Sequence, residues 1–370
     1  SLHHLPPEMV FHDWKELLSR PKLADAALIC TMDQMHTQPA LKALELGYHV
    51  LLEKPMAPDE EECRMIAAAA EKSGKVLTVC HVLRYSPFFQ AIKNCVDSGI
   101  IGKIMAYDQT ENVGYWHQAH SFVRGNWSNS KLSTPMILQK CCHDTDIISW
   151  LIGKKCNMVS SYGSLSHFVT ENAPHGAPEY CLDGCPYATS CIYYAPHFYL
   201  DHPKAKSDGF TEMIVSDPTP DRIMEALRTG PYGRCVYRCN NDVVDHQIVS
   251  MEFEGNAVAS LTMCAFTQDC KRTLHIMGTE GELWGDMEAD EIKVRILGGD
   301  EKTIPVLKPD TKYSYNHDGG DFCLIRDFVD TVRHDDPTLN RSSAAQSLQS
   351  HLICFAAEKA RLKHCGVSPW

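Results

Sequence analysis

Cys30-Thr31-Met32-Asp33-Gln34-Met35-His36, followed by Gly47-Tyr48-His49-Val50-Leu51-Leu52-Glu53-Lys54-Pro55, is the stretch on which the reading of this chain turns. Residues 24–31 are a short, nearly all-apolar run, as expected of a strand buried on both faces. Residues 36–47 read as a helix with Gly47 as its stop. His49–Leu52 is a second buried strand. Outward from there, Asp59 and Glu62 have capping-box spacing ahead of Cys63, Ile66, Ala67 and Ala70, and Gly74 closes that helix. Residues 76–80 form a third strand and residues 87–99 another helix. Strand, helix, strand, helix, strand implies βαβ units and a parallel sheet.

Beyond residue 100 the pattern changes. Residues 104–110, 248–254, 257–266, 272–278, 281–285 and 292–297 are strand-like and are separated by Gly, Asn or acidic turns. Gly255 and Asn256 mark a hairpin. A mainly antiparallel sheet is expected here, with helices returning at 321–334 and 343–363. Residues 170–235 are rich in Pro, Cys, Tyr and His without a clear period, so they read as an irregular insertion.

The 370 residues are 44% hydrophobic and 22% charged, which excludes disordered, collagen-like and coiled-coil chains. A net charge of −12 argues against nucleic-acid binding. No run of 18 apolar residues occurs, so no membrane helix is expected. Residues 1–7 lack the basic and apolar regions of a signal peptide. The 17 cysteines are odd in number on a long chain, which argues against a disulfide framework. Cys30, Cys80, Cys264 and Cys354 sit singly in apolar runs and read as buried thiols in a reducing cytoplasm.

Three groups of residues carry chemistry. Lys54 lies just past the C-terminal end of a parallel strand, where doubly wound sheets bind ligands, and Pro55 sets an extended turn after it. The plain alternative is a solvated surface lysine. Residues 135–152 read as one helix with Thr134 as N-cap, Pro135 as first helical residue and Gly153 after its end. Gln139, Lys140, His143, Asp146 or Ile147, and Trp150 would then share a broad face. His143 is the candidate proton acceptor, since a pKa near 6.5 suits general-base work. Adjacent helical residues point about 100° apart, so Cys141 and Cys142 make no nucleophile pair with it. Third, Cys181-x3-Cys185-x5-Cys191 next to His197 offers three cysteines and a histidine for a structural zinc. Free thiols or a disulfide are the alternatives.

Taken in order, the Thr31 to His36 stretch, Glu53-Lys54-Pro55, the run from Pro135 to Asp146 and Gly319-Gly320-Asp321 resemble the Gfo/Idh/MocA oxidoreductases over essentially the whole chain. The resemblance implies an α/β fold class. Residues 1–100 would be a partial Rossmann-type dinucleotide-binding domain with a parallel sheet. Residues 101–370 would be a C-terminal α/β domain with an open, mostly antiparallel sheet for substrate binding and oligomerisation. It also implies reversible oxidation of a secondary hydroxyl on a sugar, inositol or related polyol, with NAD or NADP as hydride acceptor. Lys54 would orient the substrate and His143 take the proton. Members often have an aspartate four residues before this histidine. Here Gln139 stands there, and Lys140 would share the catalytic work. Cofactor contacts are expected from Thr31, Met32, His36, Glu53, Lys54, His81 and Arg84. Substrate contacts are expected from Tyr115, Trp116, His117, Gln139 and Asp144. Weaker candidates are Glu111, Asn112, His120, Arg124, Asp242, Asp245 and His246. The expected partners are a small carbohydrate or polyol and a second copy of the chain, as homodimer or homotetramer, with no nucleic acid or membrane.

One element of that pattern is absent. No G-x-G-x-x-G occurs in the sequence. The reading therefore expects that a first βαβ unit, about 30 residues or more, is lacking and that NAD(P) binds weakly or not at all. Three rivals follow: a glycosidase using bound NAD for transient oxidation, a non-catalytic scaffold, and, more distantly, a zinc hydrolase.

Overall fold

The computed structural model describes residues 5–308 and 317–370. Residues 1–4 of the N-terminal stretch read above lie outside the described residues. The first sheet contains β1 (Ala26–Ile29), β2 (His49–Leu52) and β3 (Leu77–Val79), all parallel, in the order β1-β2-β3. The helices Thr37–Glu45 and Glu60–Ser73 cross over between them. Every residue of β2 is buried, which is why the run His49-Val50-Leu51-Leu52 shows no alternation. In β1, Leu28 is exposed.

Asp59 caps its helix, accepting the Glu62 N–H at 2.9 Å. The expected reciprocal bond is not formed. The Glu62 carboxylate instead accepts the Thr37 hydroxyl at 2.5 Å and ties the two crossover helices together. Gly74 ends the helix at φ 64°, the left-handed conformation that a Cβ disfavours. The outer edge of β3 is covered from far along the chain. Ser342 O accepts the Val79 N–H at 2.9 Å, and Asn340 Nδ2 donates to Leu77 O at 2.7 Å. The next helix, Ala344–Lys363, places Ala344 and Leu348 in the core of the first sheet and Ile353, Ala356 and Ala357 in that of the second. One helix therefore seals both layers.

The second sheet has eight strands in the order β11-β10-β9-β8-β4-β7-β6-β5. These are β4 (Ile104–Asn112), β5 (Cys156–Ser164), β6 (His246–Phe253), β7 (Val258–Cys264), β8 (Lys271–Gly278), β9 (Gly281–Asp286), β10 (Glu291–Ile296) and β11 (Glu301–Thr303). Among the described residues of this sheet, only β4 and β7 are parallel neighbours. The strands β5 and β11 were not anticipated; β5 lies in a polar run, Asn157-Met158-Val159-Ser160-Ser161, with weak strand patterning. One face packs under helices. The other leaves Met158, Tyr162, Ile248 and Val258 exposed. Residues 170–235 are more ordered than expected. Four short helices, Ala195–Asp201, Pro203–Ser207, Phe210–Ile214 and Pro220–Thr229, build a core around Phe198, Tyr199, Ile223 and Leu227. Helices this short fall below the window in which a 3.6-residue period is legible. No helix among the described residues is long and apolar enough to cross a membrane.

Candidate active site

The site is built where β2 ends against β4 and the helix Cys142–Ile152. On β4, Tyr107, Gln109 and Glu111 share the buried face because strand side chains alternate. Tyr107 Oη donates to Gln109 Oε1 at 2.7 Å, and Gln109 Nε2 donates to Asp144 Oδ1 at 2.5 Å. Arg272 on β8 lies between two carboxylates. Its Nε is 2.9 Å from Asp144 Oδ1 and 2.8 Å from Glu111 Oε2. Lys140 Nζ lies 3.3 Å from the other Glu111 oxygen.

The single helix expected over 135–152 is broken. Met136–Gln139 is one turn with Pro135 as its N-cap at ψ 151°, and the second helix starts at Cys142. Thr134 does not cap; its hydroxyl and that of Ser133 turn to the buried Asp33 carboxylate, at 3.4 and 2.7 Å. The break redirects the expected face. Lys140 faces Glu111, whereas the Gln139 carbonyl accepts from Lys54 Nζ at 3.2 Å. The Gln139 side chain donates to Ser133 Oγ at 3.3 Å and leaves Oε1 without a partner.

Two ion pairs clamp the helix Cys142–Ile152 on either side of His143. Asp144 is held by Arg272 and Gln109 of the second sheet. Asp146 takes a two-pronged contact from Arg84, Nε to Oδ2 at 2.6 Å and Nη2 to Oδ1 at 2.8 Å. His143 lies between them with Nδ1 buried and unpartnered. Its ring is 5.9 Å from His81 and 6.3 Å from His317. Burial, then the positive charge of Lys54, holds the His143 imidazole well below its usual range, so it is neutral at neutral pH. His81 is pushed down to about 4 by burial, against the pull of Asp146, whose Oδ1 lies 3.7 Å from Nε2; neither ring nitrogen makes a hydrogen bond. Burial is the largest influence and lowers the Lys140 ammonium, but Glu111, Cys270 and Asp144 together outweigh it, and the net shift is upward. Lys140 is thus a cation and a donor, not a base. The Cys142 thiol is pushed up to about 12 by burial, in keeping with an inert side chain.

Lys54 stands at the C-terminal end of β2, after Glu53, and its ammonium is 5.7 Å from the Trp127 ring centroid. The Lys54–Pro55 peptide bond is cis. The turn is held from behind: the Met56 N–H donates to His351 Nε2 at 2.9 Å, while His351 Nδ1 bonds Ser347 O at 2.7 Å. His36 joins the ends of β1 and β2 through its two ring nitrogens, 2.9 Å from Thr31 O and 2.8 Å from Pro55 O. Thr31, Met32 and Glu53 lie at the strand ends and are at least partly exposed. Arg84 and Asp144, by contrast, are spent in buried ion pairs. Trp116 is buried against the insertion and donates to Gln268 O at 3.3 Å. His117 stacks on it at 5.7 Å, with Nδ1 3.5 Å from Cys270 Sγ. Tyr115 packs against Tyr193 at 6.1 Å.

The weaker candidates divide. Glu111 belongs to the charged cluster. His120 is stacked between Phe210 and Tyr232, at 4.1 and 4.8 Å. Asp242 accepts from Ser130 Oγ at 2.9 Å, and Asp245 holds the backbone of Ser166 and His167, so both organise loops. Arg272, His351 and Trp127 were not anticipated, because each reaches the site from a distant element, and Asp33, next to Met32, was not, because its partners Ser133 and Thr134 lie a hundred residues away. Among the described residues no group of three or more His, Cys, Asp or Glu side chains is arranged to hold a metal ion. The expected zinc set of Cys181, Cys185, Cys191 and His197 is not assembled: the three cysteines line one cavity without forming a metal-holding group, and His197 is exposed outside it, 5.1 Å from the Tyr194 ring.

Comparison with known proteins bears on this arrangement. A family model described as oxidoreductase family, NAD-binding Rossmann fold, matches residues 4–81. A second, described as oxidoreductase family, C-terminal alpha/beta domain, matches residues 93–361. The first match does not show that a βαβ unit is missing. YteT of Bacillus subtilis (strain 168), which bears the name of an oxidoreductase, is 24% identical over 94% of this chain and 82% of its own length. Inositol 2-dehydrogenase 2 of Saccharopolyspora erythraea is 29% identical over 35% of this chain and 36% of its own. Levoglucosan dehydrogenase, solved in complex with NADH and levoglucosan, superimposes with a TM-score of 0.70 at 17% identity, covering 97% of this chain and 83% of that one. At that identity the likeness speaks for the fold. With both halves matched in order, the chain belongs to the Gfo/Idh/MocA oxidoreductase family.

Proposed function

We propose that this chain oxidises a secondary hydroxyl of a sugar, inositol or related polyol with NAD as hydride acceptor. The observation that carries the reading is the neutral, unpartnered His143 Nδ1 beside the Lys54 ammonium at the end of a parallel strand. The strand ends fit a nicotinamide nucleotide. Thr31, Met32, Glu53 and Lys54 line the ends of β1 and β2, where such sheets bind nucleotides, and the buried Nδ1 atoms of His81 and His143 stand unpaired beside them. When bound, NAD supplies the hydride acceptor.

The chain's own residues do the rest. Lys54 and Lys140 donate to the substrate hydroxyl and favour its ionised form. His143 takes the proton as the hydroxyl carbon is oxidised. The ion pairs of Asp144 and Asp146 keep His143 from turning away. His117 and Tyr115 line the substrate side. Levoglucosan dehydrogenase and an inositol dehydrogenase among the relatives support a cyclic polyhydroxy substrate without naming it. The exposed row of Met158, Tyr162, Ile248 and Val258 supports self-association through the second sheet. A cytoplasmic location completes the reading.

The test is NADH formation from NAD⁺ with a panel of inositols, aldoses and anhydro-sugars. At least one should be turned over, with NADP⁺ a poorer acceptor. His143→Ala and Lys54→Ala should each lower kcat/KM by about 10²–10⁴-fold. Release of a free sugar without net NADH would favour the glycosidase. Undiminished activity in both variants would sink the assignment.

A further inference from the structure

The insertion brings together a second cluster, buried at Cys181 and half-buried at the rest, that the proposed oxidation does not use. Cys181, Cys185, Cys191 and Cys235 all line one small, largely apolar cavity. The first three follow the spacing Cys-x3-Cys-x5-Cys, and the fourth arrives on a returning segment. The two segments are paired: Tyr180 and Arg234 form an antiparallel bridge, Cys181 N–H donates to Gly233 O at 2.9 Å, and Cys235 N–H donates to Glu179 O at 2.8 Å. Backbone pairing thus fixes the first and fourth cysteines against each other, and a turn delivers the other two.

Arg124 supplies the independent observation. It is buried in the wall of the same cavity. Its guanidinium donates to Arg234 O at 2.8 Å, to Tyr193 O at 2.7 Å and to Cys181 Sγ at 3.7 Å. Among the described residues no carboxylate pairs with it. Arg84 and Arg272, also buried, both have carboxylate partners. A buried cation without a counter-charge is costly. Four thiolates around a divalent metal carry a net charge of about −2 and supply that counter-charge, with the arginine as a donor to sulfur.

We propose that Cys181, Cys185, Cys191 and Cys235 form a four-thiolate site for a soft metal centre, a zinc ion or an iron–sulfur cluster, which staples the insertion to the wall of the active site. As placed, the thiols stand around the cavity without converging on one point. Loading turns them inward by side-chain rotation and releases their protons. The role is structural. Arg124 ends the π-helix Gln118–Arg124, which directly continues the turn Tyr115–His117. Fixing Arg124 therefore fixes the segment that presents His117 and Tyr115.

The experiment is metal and acid-labile sulfide analysis of the full chain, purified under reducing, anaerobic conditions. Cys181→Ser/Cys235→Ser is compared with Cys365→Ser, an exposed position. The expected result is about one zinc, or iron with matching sulfide and visible absorbance, per chain. It should be present in the parent and in Cys365→Ser and lost from the double variant. Should the double variant fail to fold, the parent answers alone: four thiols should resist alkylation until a mercurial or chelator releases the metal. A metal-free parent, metal retained by the double variant, or a disulfide between any two of the four cysteines overturns the proposal.

Discussion

Arg272 and Arg124 are both buried guanidinium groups in the second domain, and they differ in whether a counter-charge meets them. Arg272 is gripped by Asp144 and Glu111. Arg124 meets two carbonyls and a thiol. Around Arg272 the charges alternate, Lys140, Glu111, Arg272, Asp144, and close among themselves, leaving His143 neutral beside them. Around Arg124 the balance is open among the described residues, and cysteines are placed to close it. A finished charge network therefore marks a region built to hold geometry, whereas an unfinished one marks a place for a further ligand.

The largest effect expected from this contrast is on acid stability. His81, His120 and His351 are pushed down to about 4, 3 and 3, each chiefly by burial. The folded state keeps them neutral, whereas the unfolded chain protonates them below about pH 6.5. Their contribution is thus fully present above that pH and is lost as pH falls toward the folded values, at about 1.4 kcal/mol per pH unit for each ring. Melting temperature should hold from pH 8 to 7 and collapse before pH 4. Metal release, if the thiolate site is filled, should follow its own proton dependence. A flat melting profile down to pH 4 contradicts the neutral rings.

Next in size is the loss of one carboxylate. Asp146→Ala strands Arg84 and should cost about 3–5 kcal/mol in urea unfolding. Asp144→Ala should cost less than Asp146→Ala, because Glu111 still holds Arg272 at 2.8 Å. Arg124→Met sharpens the contrast: it removes an uncompensated charge but leaves Arg234 O and Tyr193 O without their donor, so it should cost the metal-free protein less than Arg272→Met while weakening metal retention. Equal losses for Arg124→Met and Arg272→Met, with metal content unmoved, would erase the distinction.

The smallest effect is at His351. Replacing it with Leu leaves the Met56 N–H buried and unpaired, a cost of about 1–3 kcal/mol. Because the turn carries Lys54, kcat should fall as well, and His351→Gln, which keeps an acceptor, should recover part of it.

Much of the first hundred residues was legible because their signals are local: apolar runs for buried strands, Asp59 as a cap, Gly74 as a stop. The break between Gln139 and Cys142 was not, since nothing in Ile137-Leu138-Gln139-Lys140-Cys141 departs from helical patterning. There the carboxylate of Glu111 and the packing of the C-terminal helix outweigh local propensity. Short helices hid the order of the insertion, and His197, next to the cysteines in sequence, was a worse guide to the cavity than Cys235.

By itself the sequence determined the alternation of elements, the lysine at the end of β2, the histidine on its helix and the family to which these belong. Only the tertiary structure decided which charges meet. Arg84 reaches Asp146 across 62 residues and Arg272 reaches Asp144 across 128. Such pairs leave no periodic trace, because a buried ion pair is selected by the space two distant elements enclose and not by the neighbours of either residue along the chain.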